Sequence, residues 1–485
     1  MVGPARKHNP IKATQHPPRL STSIALSEVV SAGTRFEAAA FNLEARKTVE
    51  GMRASGLRLL PVYGDSGLAN FASTPIRFTR VYVDAKHGVG FLSSSEIISI
   101  RPTINYVSRK LTKKLDELLI REWDVLISRS GTVGNVGLAC GRFVGLALSE
   151  HAIRLRAPKA ADAGFICAFL RSKYGRLQLI QASYGSVVQH IEPEHLASVV
   201  IPESPMDRQN EIGVNMMRAA EYREEANRLI DEADAALYEH LGLKHLKKQR
   251  VRSKAPAIAK LHLRDLSWRF EASYHNHSVL NAISKLELSG CDRTTLGDKH
   301  ITKEIRAVTK FRKRVYASTG GIPMLSSKQL MQIDPIDIKR LAKGAHTKDL
   351  LEIALKENMV TVSCSGTIGR VQIIPAYMEG WTANQHATRI IPADGMNAGY
   401  LYAWLASEYG QLLIRRHSYG SVILEIDKEM LGSVPIPLPK PAIRDKIGNL
   451  VLRANELRNR AWAAEQQARE QLEGLIEKRS APVLL

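Results

Sequence analysis

The chain has 485 residues, with 68 Lys and Arg against 48 Asp and Glu, for a formal charge of +20. At about 100–200 residues per domain this means two to four domains, and 44 % hydrophobic content is enough to build packed cores, which excludes a wholly disordered chain. No apolar run reaches the roughly 18–20 residues of a membrane span, and four scattered cysteines (Cys140, Cys167, Cys291, Cys364) fit neither a disulfide scaffold nor a Cys-x-x-Cys zinc site.

Residues 1–20 form a basic, Pro-rich tail without the apolar stretch of a secretory signal, so a cytoplasmic location is expected. A first globular domain is expected over 21–205. Within it Trp123-Asp124-Val125-Leu126-Ile127-Ser128 reads as a strand from its β-branched content, Ser130-Gly131-Thr132-Val133-Gly134 as a turn, and Val136 to Cys140 as the returning strand. Gly164 to Ile180 has helical spacing, a Tyr184-Gly185-Ser186 loop follows, and a short strand closes on Ile201-Pro202. Residues 206–243 then change texture. Ile212, Ala219, Ala226, Ala233 and Leu237 recur at three-, four- or seven-residue spacing among Glu, Arg and Asn, the seam of a close-packing coiled coil. Such a helix of about 30 residues spans roughly 45 Å.

Gly242 ends that helix, and a basic linker over 244–260 leads to a second domain, 261–440, and a second long helix, 441–480, with seam residues Ile447, Ala454, Ala461, Ala468 and Leu472. This second half repeats the first. Arg35-Phe36-Glu37-Ala38 returns as Arg269-Phe270-Glu271-Ala272 and Arg80-Val81-Tyr82 as Arg314-Val315-Tyr316, both shifted by 234. Ser365-Gly366-Thr367-Ile368-Gly369, Tyr419-Gly420-Ser421-Val422 and Ile436-Pro437 repeat the turn, the loop and the closing strand with a shift of 235. So long a period is a duplicated domain, since solenoid units run to about 20–50 residues. The two seams occupy equivalent places, so each helix is the natural partner of the other.

The charge favours a polyanionic partner, because every neutralised phosphate releases condensed counterions. Catalytic signatures are missing from the sequence: there is no Gly-x-x-x-x-Gly-Lys-Ser/Thr phosphate loop, no His-Glu-x-x-His and no Gly-x-Ser-x-Gly elbow. His151 and His386 occupy equivalent places and read as hydrogen-bonded structural residues. The chain therefore reads as a binder and not as an enzyme.

Several of these motifs, taken in order, carry a family resemblance: Asp124 to Gly134, Tyr184-Gly185-Ser186-x-x-Gln189-His190-Ile191, Leu196-x-x-Val199-Val200-Ile201-Pro202 and Arg208-Gln209-x-Glu211-Ile212, with the second copy's Ser365 to Gly369, Tyr419 to Ser421, Leu431-x-x-Val434-Pro435-Ile436-Pro437 and Lys446-Ile447. The chain resembles the DNA-specificity subunits of type I restriction–modification systems from about residue 24 to 478. The resemblance implies an α+β fold with two homologous target-recognition domains, each a mixed β-sheet with small helices. They would be separated by two long helices in an antiparallel coiled coil with pseudo-two-fold symmetry. It implies a bipartite double-stranded DNA target, partner modification subunits (two of them) and restriction subunits, and no membrane. It implies no cofactor in this chain, with S-adenosylmethionine, ATP and Mg2+ held by the partners. A stand-alone DNA binder, a component of another phage-defence complex, and a coiled-coil scaffold that never reads DNA remain open on the same residues. The second copy departs from the pattern at Leu424 and at Asp445-Lys446.

Ser and Thr hydroxyls beside exposed backbone N–H groups suit phosphate, and a few polar side chains suit base edges. The expected DNA contacts are therefore Arg129, Ser130, Thr132 and Asn135 with Ser365, Thr367 and Arg370 in the turns, and Tyr184, Ser186 and Gln189 with Tyr419 and Ser421 in the loops. The Lys310, Arg312, Lys313 and Arg314 cluster adds phosphate contacts.

Overall fold

The computed structural model describes residues 23–31, 38–185, 188–246, 266, 269–307, 314–318, 320–346, 350 and 352–480. The amino-terminal tail, most of the basic linker, Ser186, Lys310, Arg312 and Lys313 lie outside the described residues.

Among the described residues the first half runs α1 (Leu26–Ser31), α2 (Leu43–Ala54), β1 (Leu59–Pro61), β2 (Phe71–Ser73), β3 (Gly88–Leu92), β4 (Asn105–Ser108), β5 (Val125–Ser128), β6 (Val136–Leu138), β7 (Ala147–Leu148), β8 (Ala152–Arg156), α3 (Ala160–Arg171), α4 (Lys173–Ala182), β9 (Val200–Pro202) and the long α5 (Met206–His240). The second half runs α6 (His277–Leu288), β10 (Arg293–Thr295), β11 (Thr302–Arg306), β12 (Ile322–Leu325), β13 (Lys339–Leu341), β14 (Val360–Ser363), β15 (Val371–Ile373), β16 (Thr382–Ala383), β17 (Ala387–Pro392), α7 (Ala398–Ala406), α8 (Glu408–Arg416), α9 (Lys428–Gly432), β18 (Pro435–Pro437) and the long α10 (Pro441–Ser480).

Three small sheets recur strand for strand. The four-stranded sheets run β2-β8-β5-β6 and β11-β17-β14-β15, the three-stranded ones β4-β3-β7 and β13-β12-β16, and the pairs are β1-β9 and β10-β18. The fold is thus α+β and duplicated. The turn between β5 and β6 works because Gly131 and Gly134 hold φ of +80° and +88°, and Gly366 and Gly369 match them at +74° and +87°, backbone that only glycine takes without strain.

The helix expected over 164–180 is two helices. Ser172 sits extended between α3 and α4 and its Oγ accepts the Gly175 N–H at 3.3 Å, while Ser407 repeats this between α7 and α8. A serine that caps a new helix stops the old one, and apolar spacing alone does not register the break.

The long helices pair antiparallel. Asn215 bonds Gln471 at 3.2 Å and Arg223 bonds Glu465, which sets Ala219, Ala226 and Ala233 opposite Ala468, Ala461 and Ala454. All ten seam residues named from the sequence are buried. At 1.5 Å per residue the 35- and 40-residue helices span roughly 52 and 60 Å. They are not a bare rod. The first half of α5 (Ile212, Met216, Ala220) and the last part of α10 (Ala468, Leu472, Ile476) complete the first copy's core. The second half of α5 and the start of α10 (Ile447, Val451, Ala454) complete the other core. The two copies thus lie toward opposite ends of the pair, and they also touch: Ile98 to Ile100 runs against Met331 to Ile333.

Each copy is fastened to its own long helix by a glycine crossing. A Cβ on Gly164 of α3 would lie 2.2 Å from the Gly213 carbonyl oxygen, and one on Gly213 would lie 2.0 Å from that of Ala161. Gly399 and Gly448 repeat the crossing. Glycine normally costs a helix about 1 kcal/mol relative to alanine, so a neutral helical site gains on Gly→Ala. Gly474 of α10, with nothing within 4 Å of a Cβ, should follow that rule. Gly213→Ala should reverse it and destabilise by about 1–3 kcal/mol, because the backbones must separate. Denaturant unfolding of both variants checks the opposite signs, and a stabilised Gly213→Ala would show that α3 and α5 do not touch there.

Candidate nucleic-acid interface

The structure brings the two loops singled out in each copy together. The Gly131 N–H donates to the Gln189 carbonyl at 3.2 Å and the Ile191 N–H to that of Arg129 at 3.0 Å. In the second copy the Gly366 N–H donates to Leu424 at 2.9 Å and the Ile426 N–H to Cys364 at 3.0 Å. Each loop is itself a closed hairpin: Tyr184 and His190 exchange both backbone bonds, as do Tyr419 and Glu425. Gly185, at φ +104°, is needed there, since a Cβ would lie 2.4 Å from the Val188 carbonyl oxygen.

Not every residue of the expected set faces solvent. Thr132, Tyr184, Gln189, Thr367, Arg370, Tyr419 and Ser421 are exposed, and Ser130 and Ser365 are half-buried. Ser130 Oγ lies 2.8 Å from His190 Nδ1. Asn135 is buried beneath the turn, where its backbone N–H donates to Ser128 Oγ at 3.0 Å, so its side chain belongs to the interior. The guanidinium of Arg129 is held by Glu192, with Nε 2.9 Å from Oε2, and Tyr184 donates its hydroxyl to the same carboxylate at 2.8 Å. The bond from Arg129 holds the Glu192 carboxyl below the usual carboxylate range, with Tyr184 adding to it against the effect of burial. Arg129 is therefore neutralised within the loop pair. The second copy has Cys364 at this place and lacks the lock. Arg314 is half-buried and donates to Gln385, as Arg80 does to Glu150.

A larger basic surface was not singled out from the sequence. In each copy the Arg-Val-Tyr segment runs along the free edge of the three-stranded sheet. The Ser108 N–H donates to Val81 at 2.8 Å and Val83 to Tyr106 at 2.9 Å, and Ala342 donates to Val315 and Ala317 to Arg340, both at 2.9 Å. This edge exposes Tyr82, Tyr106, Lys86, Arg109, Lys110 and Lys113 in the first copy. In the second it exposes Tyr316, Lys339, Arg340 and Lys343, with the Lys339 ammonium 5.4 Å from the Tyr316 ring centre. Aromatic faces interleaved with cations are the surface that phosphate and sugar contacts require. The sequence did carry a signal: no acid occurs from Ile97 to Leu115 or from Ile338 to Lys348. An open cleft links the two features, lined by Thr132 of the first copy and by Arg314, Tyr316, Lys328, Lys339 and Asn384 of the second. Among the described residues no group of three or more His, Cys, Asp or Glu could hold a metal ion, and no helix is long and apolar enough to cross a membrane.

Residues 303–451 match the sequence model of the type I restriction modification DNA specificity domain. This stretch is thus similar to the DNA specificity domain of type I restriction–modification systems. The specificity domain so matched covers most of the second copy, and the first copy repeats its sheets. Over 135 residues the chain is 28 % identical to the type I restriction enzyme MjaIX specificity subunit of Methanocaldococcus jannaschii, a match over 27 % of this chain and 31 % of that one. The chain thus matches about a third of this curated relative's length. Solved structures resemble it as well, among them these two. One is the type-I restriction-modification system S subunit from M. genitalium, at 14 % identity and TM-score 0.32 over 88 % of this chain and 100 % of that one. The other is the HsdS subunit from Thermoanaerobacter tengcongensis, at 15 % identity and TM-score 0.27 over 87 % and 96 %.

Proposed function

We propose that this chain is the DNA-reading subunit of a type I restriction–modification complex: it recognises a bipartite duplex target and directs modification and restriction subunits to it, without catalysing a reaction itself. The observation that carries the reading is the doubled edge. The same tyrosine-and-cation surface is built twice, from the same sheet, at the two ends of one antiparallel helix pair. Two related surfaces held at a fixed separation suit two half-sites on one duplex, as a dimeric reader does. Lys and Arg on the edges would hold phosphates, and Thr132, Gln189, Thr367, Arg370 and Ser421 in the paired loops would lie near bases. Arg129 and Asn135 have no part in this, because one is neutralised and the other buried. The differing side chains of the two copies would let each read its own sequence.

The seam residues pack inside the helix pair, so two modification subunits would dock on its outer face, where α5 exposes Arg228 and Glu232, linked with the half-buried Glu225 as an ion triplet. S-adenosylmethionine, ATP and Mg2+ would belong to the partners. Replacing Lys339, Arg340 and Lys343 together by Ala should weaken binding to duplexes of every sequence. It should also flatten the plot of log K against log salt by up to about 2.7, at about 0.9 per phosphate released. Gel-shift titrations from 50 to about 200 mM salt check this. An unchanged slope would remove this edge from the interface. Methylation-site mapping in a host carrying and lacking the gene tests the whole reading, and it fails if no bipartite motif depends on the chain.

A further inference from the structure

The two copies meet directly at one place beside the helix pair. Ile98 to Ile100 of the first copy lies antiparallel to Met331 to Ile333 of the second. The Ile333 N–H donates to the Ile98 carbonyl at 2.7 Å and the Ile100 N–H to that of Met331 at 2.9 Å, which pairs Ser99 with Gln332. The shift of 234 makes these nearly the same segment of the two copies. A segment that lies on a two-fold axis meets its own counterpart antiparallel, so this pairing marks the pseudo-two-fold axis of the molecule.

Beside it the symmetry breaks. The next residue, Asp334, takes three arginines: Arg176 of α4 at 2.7 Å, Arg171 of α3 at 3.3 Å and Arg469 of α10 at 3.5 Å. Arg171 is almost fully buried and also binds Glu465, which in turn binds Arg223 of α5. The first copy has Ile100 at the place corresponding to Asp334, and its next residue, Arg101, pairs instead with Asp231 and Asp234 of α5, both at 3.3 Å, so the two sides of the axis carry charged contacts of opposite sense. Were Asp334 withdrawn, buried guanidiniums would keep only Glu465 as a counter-charge. Removing one partner from such a cluster is costly even where the whole cluster adds little to stability. The contact is therefore shut by default.

We propose that the Met331–Asp334 segment is a clasp which fixes the orientation of the second reading surface against the first, and so makes the distance between half-sites a property of the two copies' direct contact as well as of helix length. The proposal rests on the reading that the copies recognise two half-sites, but its geometry can be tested without DNA. Ser99 and Gln332 form the narrow, non-hydrogen-bonded kind of antiparallel pair, whose Cα atoms come within disulfide range. Ser99→Cys with Gln332→Cys in the full-length chain should therefore cross-link within the molecule in oxidised glutathione. Adding Asp334→Arg should slow that cross-linking at least tenfold, Asp334→Asn should slow it less, and Asp334→Arg with Arg176→Glu should restore much of the rate. Failure to cross-link, or a rate indifferent to Asp334, overturns the clasp.

The second measurement separates the clasp from the functional reading. Binding selection from a pool of random-sequence duplexes should recover two sequence blocks at one fixed gap for the native chain, and the same blocks at a gap relaxed by one or more base pairs for Asp334→Arg. Two blocks with an unchanged gap in Asp334→Arg overturn the clasp and leave the DNA reading intact. Recovery of no paired blocks by the native chain overturns the DNA reading, and the cross-linking rates still decide whether the clasp holds the copies together.

Discussion

Ala461→Glu is expected to cost about 4 kcal/mol or more and to split one cooperative unfolding transition into two. Ala461 is fully buried, and the register of α5 and α10 sets it opposite Ala226. A layer of two alanines leaves no room for four more heavy atoms, and overpacking of that kind costs about 1–3 kcal/mol alone. The carboxylate then enters one turn from Glu465, which is already buried and already uses Arg171 and Arg223. Both cores reach into the helix pair, so the seam is what couples the unfolding of one copy to that of the other. Ala461→Ser is the control. It adds one atom whose hydroxyl can bond the preceding turn, and it should cost about 1 kcal/mol or less. Calorimetry of the full chain checks both, and a native-like single transition in Ala461→Glu would mean that the two helices are not packed along this face.

The duplication and the helix pair were legible because both are carried by spacing: a constant shift for the first, alanines every seventh residue for the second. Spacing says nothing of partners that lie far apart in the chain. Arg129 looked like a phosphate contact because its counter-charge, Glu192, is 63 residues away. Asn135 looked like a surface residue because the turn that buries it was read only as a turn. The tyrosine-and-cation edges were hidden in another way. Tyr82 and the run from Tyr106 to Lys113 become one surface only when the Arg-Val-Tyr segment aligns beside β4, and the strand itself is just four residues long. Gly213 and Gly448 stood in the sequence as helix-weakening residues with no stated reason. A glycine inside a helical pattern generally has a packing reason, and here it is the close crossing of a neighbouring helix: a Cβ would meet the Ala161 carbonyl at Gly213 and the Asn397 side chain at Gly448. The contact of Ile98–Ile100 with Met331–Ile333 has no local signature at all, since it joins copies through a symmetry that only the folded chain possesses.

Lowering the pH from about 6.5 to about 4 should remove about 3 kcal/mol of stability through His417 alone, and His417→Ala should abolish that part of the loss. His417 caps α8 and is buried, with the Tyr274 ring edge-on at 5.5 Å and Ser433 Oγ 3.4 Å from Nε2. Burial pushes its imidazole down to about 4, Arg416 and Arg269 add to the effect, and Asp427 opposes it. In the unfolded chain the same ring titrates near 6.5. Between those values the unfolded state binds the proton and the folded state refuses it, so the stability is whole above about 6.5 and drains away as the pH falls toward 4. Carboxylates held low by arginine, such as Glu192 and Glu304, lose their contribution in the same direction but only below the ordinary carboxylate range, so the two windows separate. The first copy supplies the reference: Ala182 is buried at the corresponding place, and the fold accepts it. Urea midpoints at pH 7, 5.5 and 4.5 for native chain and His417→Ala should diverge at neutral pH or converge on acidification according to the cost of the lost ring, but the difference between them must change by about 2.4 kcal/mol across this interval. A difference that stays constant with pH would show that His417 protonates as freely in the folded chain as in the unfolded one.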